Sequence, residues 1–162
     1  MTTPSSPGVT GIDTPSDLEA RITRVVAAPR PLVWLAHTVP EHIQRWMLGP
    51  PGWTMPVCEM DLRPGGTWHW VWRKSAGEEM SMEGRYLEVV LGERIVSTEK
   101  WGPEWPETVN TIALTDQGTF TLITTTIRYP SKEARDAAMA TGMTEGADQS
   151  YARLDELLRS LA

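Results

Sequence analysis

Eight tryptophans stand in these 162 residues, and three of them, Trp68, Trp70 and Trp72, fall at strict period two. After Pro64-Gly65-Gly66 this spacing reads as a β-strand with every indole on one face. Thr67, His69, Val71 and Arg73 take the other. A buried indole removes roughly 150–250 Å² from water. Three together represent on the order of 10 kcal/mol of apolar burial, taken as an upper bound. Such a face belongs against a core or along a cavity. Two readings stay open: the rings fill the interior, or they wall an apolar pocket and offer N–H groups to a ligand oxygen.

Glu99 is the carboxylate with the most chemical interest, because it shares a strand face with Ile95 and Trp101. Turned inward among indoles, its pKa would rise, and it could act as acid, base or ligand anchor. Turned outward, it is a rim residue or the partner of an arginine. Trp101 would extend the indole wall. Met80, Met82 and Tyr86 are separated by even steps and share a face if no bulge intervenes. Methionine suits an adaptable pocket and equally an ordinary core. Glu99 with Tyr86 is the pair an acid–base enzyme in this cavity would use, and the text supplies no fuller constellation.

The histidines fit chemistry poorly. His69 lies opposite the indoles, and His37 and His42 fall on short helices as expected surface or cap residues. No HExxH spacing or Cys/His cluster points to a metal, and no P-loop, GxGxxG or GxSxG motif points to a cofactor or serine nucleophile. Cys58 aligns with Met60 and Leu62, as a buried inert thiol would.

The elements that must position these groups follow from punctuation. The first 17 residues, rich in Pro, Ser, Thr and Gly, read as a flexible tail, and residues 18–162 as one domain. LEARITRVVA reads as a first strand. Pro29–Pro31 and Pro40 then open two short helices, stopped at Gly49-Pro50-Pro51-Gly52. Six strands follow, over Val57–Leu62, the indole strand, Met80–Val89, Arg94–Trp101, Thr108–Thr115 and Thr119–Tyr129. Short turns between them require antiparallel pairing. Ser131 caps a helical C-terminus, with Thr141-Gly142 as a break. Beyond it Met143, Ala147, Tyr151, Leu154, Leu158 and Leu161 form one apolar stripe, with Asp155 and Arg159 on the wet side. The fold class is α+β: an antiparallel sheet of about six or seven strands, one face covered by the terminal helix.

The net charge of −6 is spread along the chain, which argues against nucleic acid and anionic membranes. No apolar run spans a bilayer, no leader pattern opens the chain, and the single cysteine forms no internal disulfide. These point to the cytoplasm.

Several stretches together carry a resemblance: RVVAAPRPLVW at 24–34, PEHIQRW at 40–46, DLRPGGTW at 61–68, EGRYLE at 83–88, GERIVSTE at 92–99 and AMATGMTEG at 138–146 before LDELL at 154–158. The chain resembles the bacterial branch of the family named after the activator of a heat-shock-protein ATPase, in the START/Bet v 1-like (SRPBCC) superfamily. The resemblance implies a helix-grip fold, a curved sheet wrapped around the C-terminal helix with a cavity between them. It implies little about activity. One departure is Ala147-Asp148 where a large aromatic is expected soon after Gly146, a role that would pass to Tyr151.

The leading expectation is a protein that binds a small hydrophobic or aromatic molecule, with Trp68, Trp70, Trp72, Met80, Met82, Tyr86, Glu99 and Trp101 on the sheet side. Met143, Ala147 and Tyr151 would face them from the helix. The alternatives are a cavity enzyme of cyclase, dehydratase or hydrolase type, and a chaperone-interacting module. The last is disfavoured because the activators it resembles carry a further domain. Trp53 and Trp105, in Pro/Gly-rich loops, fit either pocket lids or a homodimer patch.

Overall fold

The computed structural model describes residues 7–162; Met1–Ser6, part of the expected tail, lie outside the described residues. Eight strands form one antiparallel sheet in the order β1-β2-β8-β7-β6-β5-β4-β3. They are β1 (Thr10–Ser16), β2 (Glu19–Val26), β3 (Trp53–Met60), β4 (Thr67–Lys74), β5 (Glu79–Val90), β6 (Arg94–Trp101), β7 (Thr108–Gln117) and β8 (Phe120–Arg128). The helices are α1 (Arg30–Thr38), α2 (Pro40–Trp46), α3 (Lys132–Met139) and α4 (Met143–Leu161). This is the helix-grip arrangement, with α4 packed on α1, α2 and β2.

Local chemistry sets the boundaries. Pro31 opens α1, and Val39 must leave helical space because Pro40 follows, so α1 ends and α2 begins there. The β7–β8 hairpin closes with Gln117 opposite Phe120, and Gly118 supplies the positive φ of the turn. The Ser131 hydroxyl accepts from the Ala134 N–H at 3.1 Å and caps α3. The expected break is real: Gly142, at φ +83°, separates α3 from α4.

One element departs from the sequence reading. Thr10–Ser16, expected in the tail, form edge strand β1, the eighth strand of the sheet. Its apolar content is low, and side chains remote in sequence hold it. Arg21 pairs with Asp13 at 2.7 Å, Arg24 donates to Thr10 Oγ1, and Arg135 donates to the Ser16 carbonyl at 2.6 Å. Pro15 is tolerated because the strand lies at an edge.

Arg24 also fastens α4. Its side chain, 4 % exposed, donates to Asp155 at 2.6 Å and to Asp148 at 3.1 Å. Its guanidinium lies 5.7 Å from the Tyr151 ring centre. Asp155 therefore serves the interior and does not form the solvated helix pair with Arg159 that its spacing offered. Tyr151 in turn stacks on Trp46 at 5.9 Å, and Trp46 meets the His37 ring edge-on at 5.0 Å. His37 is buried, with Nδ1 2.8 Å from the Val33 carbonyl, and burial lowers its pKa. It is a core histidine, contrary to its expected surface place.

Gly84 sits where two backbones touch. A Cβ there would lie 1.8 Å from the Thr98 carbonyl oxygen and 2.8 Å from Trp68 Nε1. Gly84→Ala is therefore expected to cost about 1–3 kcal/mol or more by overpacking. Gly146, inside α4, has only a Pro50 carbon at 3.8 Å from such a Cβ, and Gly146→Ala should stabilise by about 0.5–1 kcal/mol. Urea unfolding of both variants checks the opposite signs. In the same assay Asp155→Asn, whose carboxylate is 24 % exposed, should cost about 1.5–3 kcal/mol. Asp148→Asn, at 60 % exposure, should cost less than ~1 kcal/mol.

Candidate functional site

Strand register places the chemistry on a grid. Met60, Trp68 and Gly84 are opposite one another across β3, β4 and β5. The β5–β6 register runs through Glu83↔Lys100 and Tyr86↔Ser97, which sets Gly84 against Glu99; Glu99 pairs with Thr108. One step beyond Val109↔Arg128, Tyr129 joins the same row. The next row is Cys58, Trp70, Met82 and Trp101.

These rows face inward. Trp68 and Trp72 are buried in the same core as Trp46, Tyr151, Leu154, Leu157 and Leu158, with Trp70 and Trp101 packed against it. The Trp72 indole donates to the Met47 carbonyl at 2.9 Å, fixing the end of α2 to the sheet. The rings form a continuous wall. Centroids are 4.9 Å apart for Trp68–Trp70 and 6.0 Å for Trp70–Trp72, and Trp72 stacks on Trp101 at 5.1 Å. The indole N–H groups of Trp68 and Trp70 are buried and, among the described residues, have no hydrogen-bond partner.

Glu99 is turned inward. Its Oε1 accepts from Trp101 Nε1 at 2.7 Å. Burial pushes its pKa up to about 7, and the indole hydrogen bond partly opposes that rise. Taken over the whole residue, Glu99 is half-buried. Beside it Thr108 and Asn110 add buried polar groups, joined by a 2.9 Å hydrogen bond. Tyr129, which the sequence reading passed over, feels the Glu99 charge, and burial raises its pKa to about 12. Its hydroxyl donates to Met143 Sδ at 3.9 Å. Counting back along the β7–β8 hairpin from its turn would have revealed it.

The other expected residues divide. Met82 and Tyr86 are buried on the inner face, whereas Met80, at 44 % exposure, stands at the strand's outer end and lines no core. Tyr86 is pushed up by burial and by Cys58 and Asp61 nearby, with Glu99 not among its influences. Glu99 bonds to Trp101, and its charge adds to the effect of burial at Tyr129. Met143 and Ala147 pack on the core edge, and Tyr151 is committed to Trp46 and Arg24. Cys58 is half-buried against the core, its thiol pushed up to about 12 by burial. Trp53 lies under Lys74, 5.5 Å from its ammonium, while Trp105 is exposed.

A groove of about 690 Å³ opens among the outward side chains Glu59, His69, Glu83, Arg85 and Lys100 of the same strands, and Met60, Trp68 and Gly84 also border it. His69 there lies 3.4 Å from Glu59 and 3.0 Å from Ser81. This groove is open and of mixed charge. The unpartnered donors and the raised carboxyl lie on the inner side, and that side carries the stronger chemistry. Among the described residues no three His, Cys, Asp or Glu converge as metal ligands would, and no helix is long and apolar enough to cross a membrane.

Residues 27–159 match the family described as Activator of Hsp90 ATPase homolog 1-like protein. No curated protein matches the chain. Among solved structures, a protein from Rhodobacter sphaeroides superposes with a TM-score of 0.89 at 26% identity, covering 93% of this chain and 98% of its own. One from Nitrosomonas europaea gives 0.80 at 28%, over 90% and 97%. One from Mycobacterium smegmatis gives 0.83 at 25%, over 93% and 96%.

Carbon-detected NMR titration should place the Glu99 carboxyl near 7, and Trp101→Phe should raise it further by removing a bond to the charged form. The folded pKa exceeds the unfolded value, so this group's stabilising contribution is complete below about 4.5 and is lost as pH rises through about 7. Glu99→Gln should flatten that part of the stability profile. An unshifted carboxyl would refute the inward assignment.

Proposed function

The chain belongs to the Activator of Hsp90 ATPase homolog 1-like family, and from that premise we propose that it binds a small aromatic molecule bearing an oxygen acceptor between sheet and terminal helix. One observation carries the reading: the two buried, unpartnered indole N–H groups of Trp68 and Trp70. Leaving such a donor unsatisfied costs about 1–3 kcal/mol. A ligand carbonyl or hydroxyl oxygen recovers that cost, so acceptor-bearing rings are favoured over hydrocarbons. Flat indole walls suit a flat ligand.

Glu99 supports the same reading. Its surroundings are dense enough to raise its pKa, as expected for a carboxylate turned inward among indoles. Met82 and Met143 supply adaptable surface on the two sides. Met80 belongs at the mouth. The lone Cys58, with no partner cysteine in the chain, supports a reducing compartment such as the cytoplasm.

The test is tryptophan fluorescence quenching and thermal shift with naphthalene, 2-naphthol and 2-tetralone. The two oxygenated rings should quench and raise Tm more than naphthalene does. Trp70→Phe should weaken 2-naphthol binding about fivefold, the equivalent of roughly 1 kcal/mol for one hydrogen bond, while leaving naphthalene unchanged. Equal behaviour of all three compounds, or no binding by any, would remove the proposal.

A further inference from the structure

We infer that Ser81, His69 and Glu59 form a hydrolytic triad among the outward side chains of the sheet, one that cleaves small aryl esters. The inference goes beyond the binding reading above and does not rest on it. Three adjacent strands supply the groups. Glu59 of β3 is opposite His69 of β4, and Ser81 of β5, opposite Val71, lies diagonally beside His69. The imidazole meets both neighbours: Nδ1 is 3.4 Å from Glu59 Oε1, and Nε2 is 3.0 Å from Ser81 Oγ. A carboxylate only accepts, so Nδ1 carries the hydrogen toward Glu59. Nε2 is then a lone pair, and the Ser81 hydroxyl donates to it. This is a hydroxyl nucleophile, a general base and a carboxylate that orients the base. The 3.4 Å contact is loose, as such contacts are before substrate binds, and tightens when the ring becomes charged. No GxSxG signature announces the set, because Ser81 sits within β5 and a triad is defined by geometry and roles.

The surroundings supply room and charge. The groove of about 690 Å³ reaches Glu59, His69, Glu83 and Lys100, which form one cross-strand row, and Ser81 stands in the next row. Met60 and Trp68, which also border the groove, suit an aryl group. Lys100 is diagonal to Ser81 across β5 and β6, since Glu83 faces Lys100 and Met82 faces Trp101. Diagonal neighbours are about 7–8 Å apart, within reach of a long side chain. The Lys100 ammonium donates one hydrogen to the Trp105 carbonyl at 2.8 Å and keeps its other N–H groups for a substrate oxygen. The nearby charges are countered: Arg73 pairs with Glu79 at 2.6 Å in the row beyond Ser81, and Glu83 stands opposite Lys100.

The reaction balances with water as its one co-reactant. Ser81 Oγ attacks the ester carbonyl carbon while its proton passes to His69 Nε2. The carbonyl π pair moves onto oxygen, beside Lys100, and Glu59 stabilises the imidazolium. The adduct then collapses: the C–O bond to the aryl group breaks, and the leaving oxygen takes the proton from His69. Water next gives a proton to Nε2 and attacks the acyl-serine. The acid departs as Ser81 Oγ takes that proton back, and the three groups are restored.

The experiment follows release of 4-nitrophenol from 4-nitrophenyl acetate by absorbance. The intact protein should release it about tenfold faster than Ser81→Ala, less than a sequestered base achieves because the three groups are open to water. His69→Gln should match Ser81→Ala. Phenylmethylsulfonyl fluoride should label Ser81 in the intact protein and leave it unlabelled in His69→Gln, read by peptide mass spectrometry. Glu59 is a positioning residue, so nitrogen NMR of the His69 ring should show the Nδ1–H tautomer, and Glu59→Gln should shift it toward Nε2–H while lowering the rate. Glu59 and Ser81 are exposed and His69 half-buried, so these variants should fold, which urea unfolding verifies. Release by Ser81→Ala or His69→Gln at the intact rate overturns the inference. So does buffer-rate release by the intact protein, failure to label Ser81, or an unchanged tautomer in Glu59→Gln. None of these outcomes bears on binding at the inner face, which 2-naphthol quenching reads separately.

Discussion

A buried guanidinium decides how the terminal helix sits. Arg24 projects from β2 into the grip, where an unpaired charge would be severely unfavourable, and its partners are Asp148 and Asp155 of α4. The stripe of α4 leucines could be buried at more than one rotation or translation along the sheet, because apolar contact is non-directional. The charge-assisted bonds to Arg24 are directional and select one of those placements. Once α4 is set, Tyr151 meets Trp46, α2 is held, and the Met47 carbonyl reaches the Trp72 indole. The indole wall is thus linked, through α4 and α2, to an ion pair near the opposite edge of the same sheet.

The α+β class, the two short helices, seven of the strands and the C-terminal break were all legible in local text, since proline, glycine and alternation act over a few residues. What escaped was fixed by distant partners. β1 looks like a tail because its hold comes from Arg21, Arg24 and Arg135. His37 looks like a surface residue because its cover, Trp46, belongs to another helix. Asp155 offers a plausible helical pair with Arg159, and only the sheet beneath reveals Arg24.

The site divides along the same line. Period two put Trp68, Trp70 and Trp72 on one face, and the cover that buries that face is α2 and α4. The direction of Glu99 was open in sequence because a strand face says nothing about which side is concave; its bond to Trp101, two residues away, follows once that side is known. Tyr129 was missed because its place in the Glu99 row emerges only across two strand registers. Met80 was placed too deep because alternation does not tell where a sheet stops.

Cys58 stands opposite Trp70 in the inner row, half-buried, with its thiol pushed up to about 12. Reagents that attack thiolates find almost none in the closed molecule, since nucleophilicity requires the ionised sulfur. The chain's one sulfhydryl is thereby quiet in the native protein, and unfolding, which restores an ordinary thiol, makes it reactive.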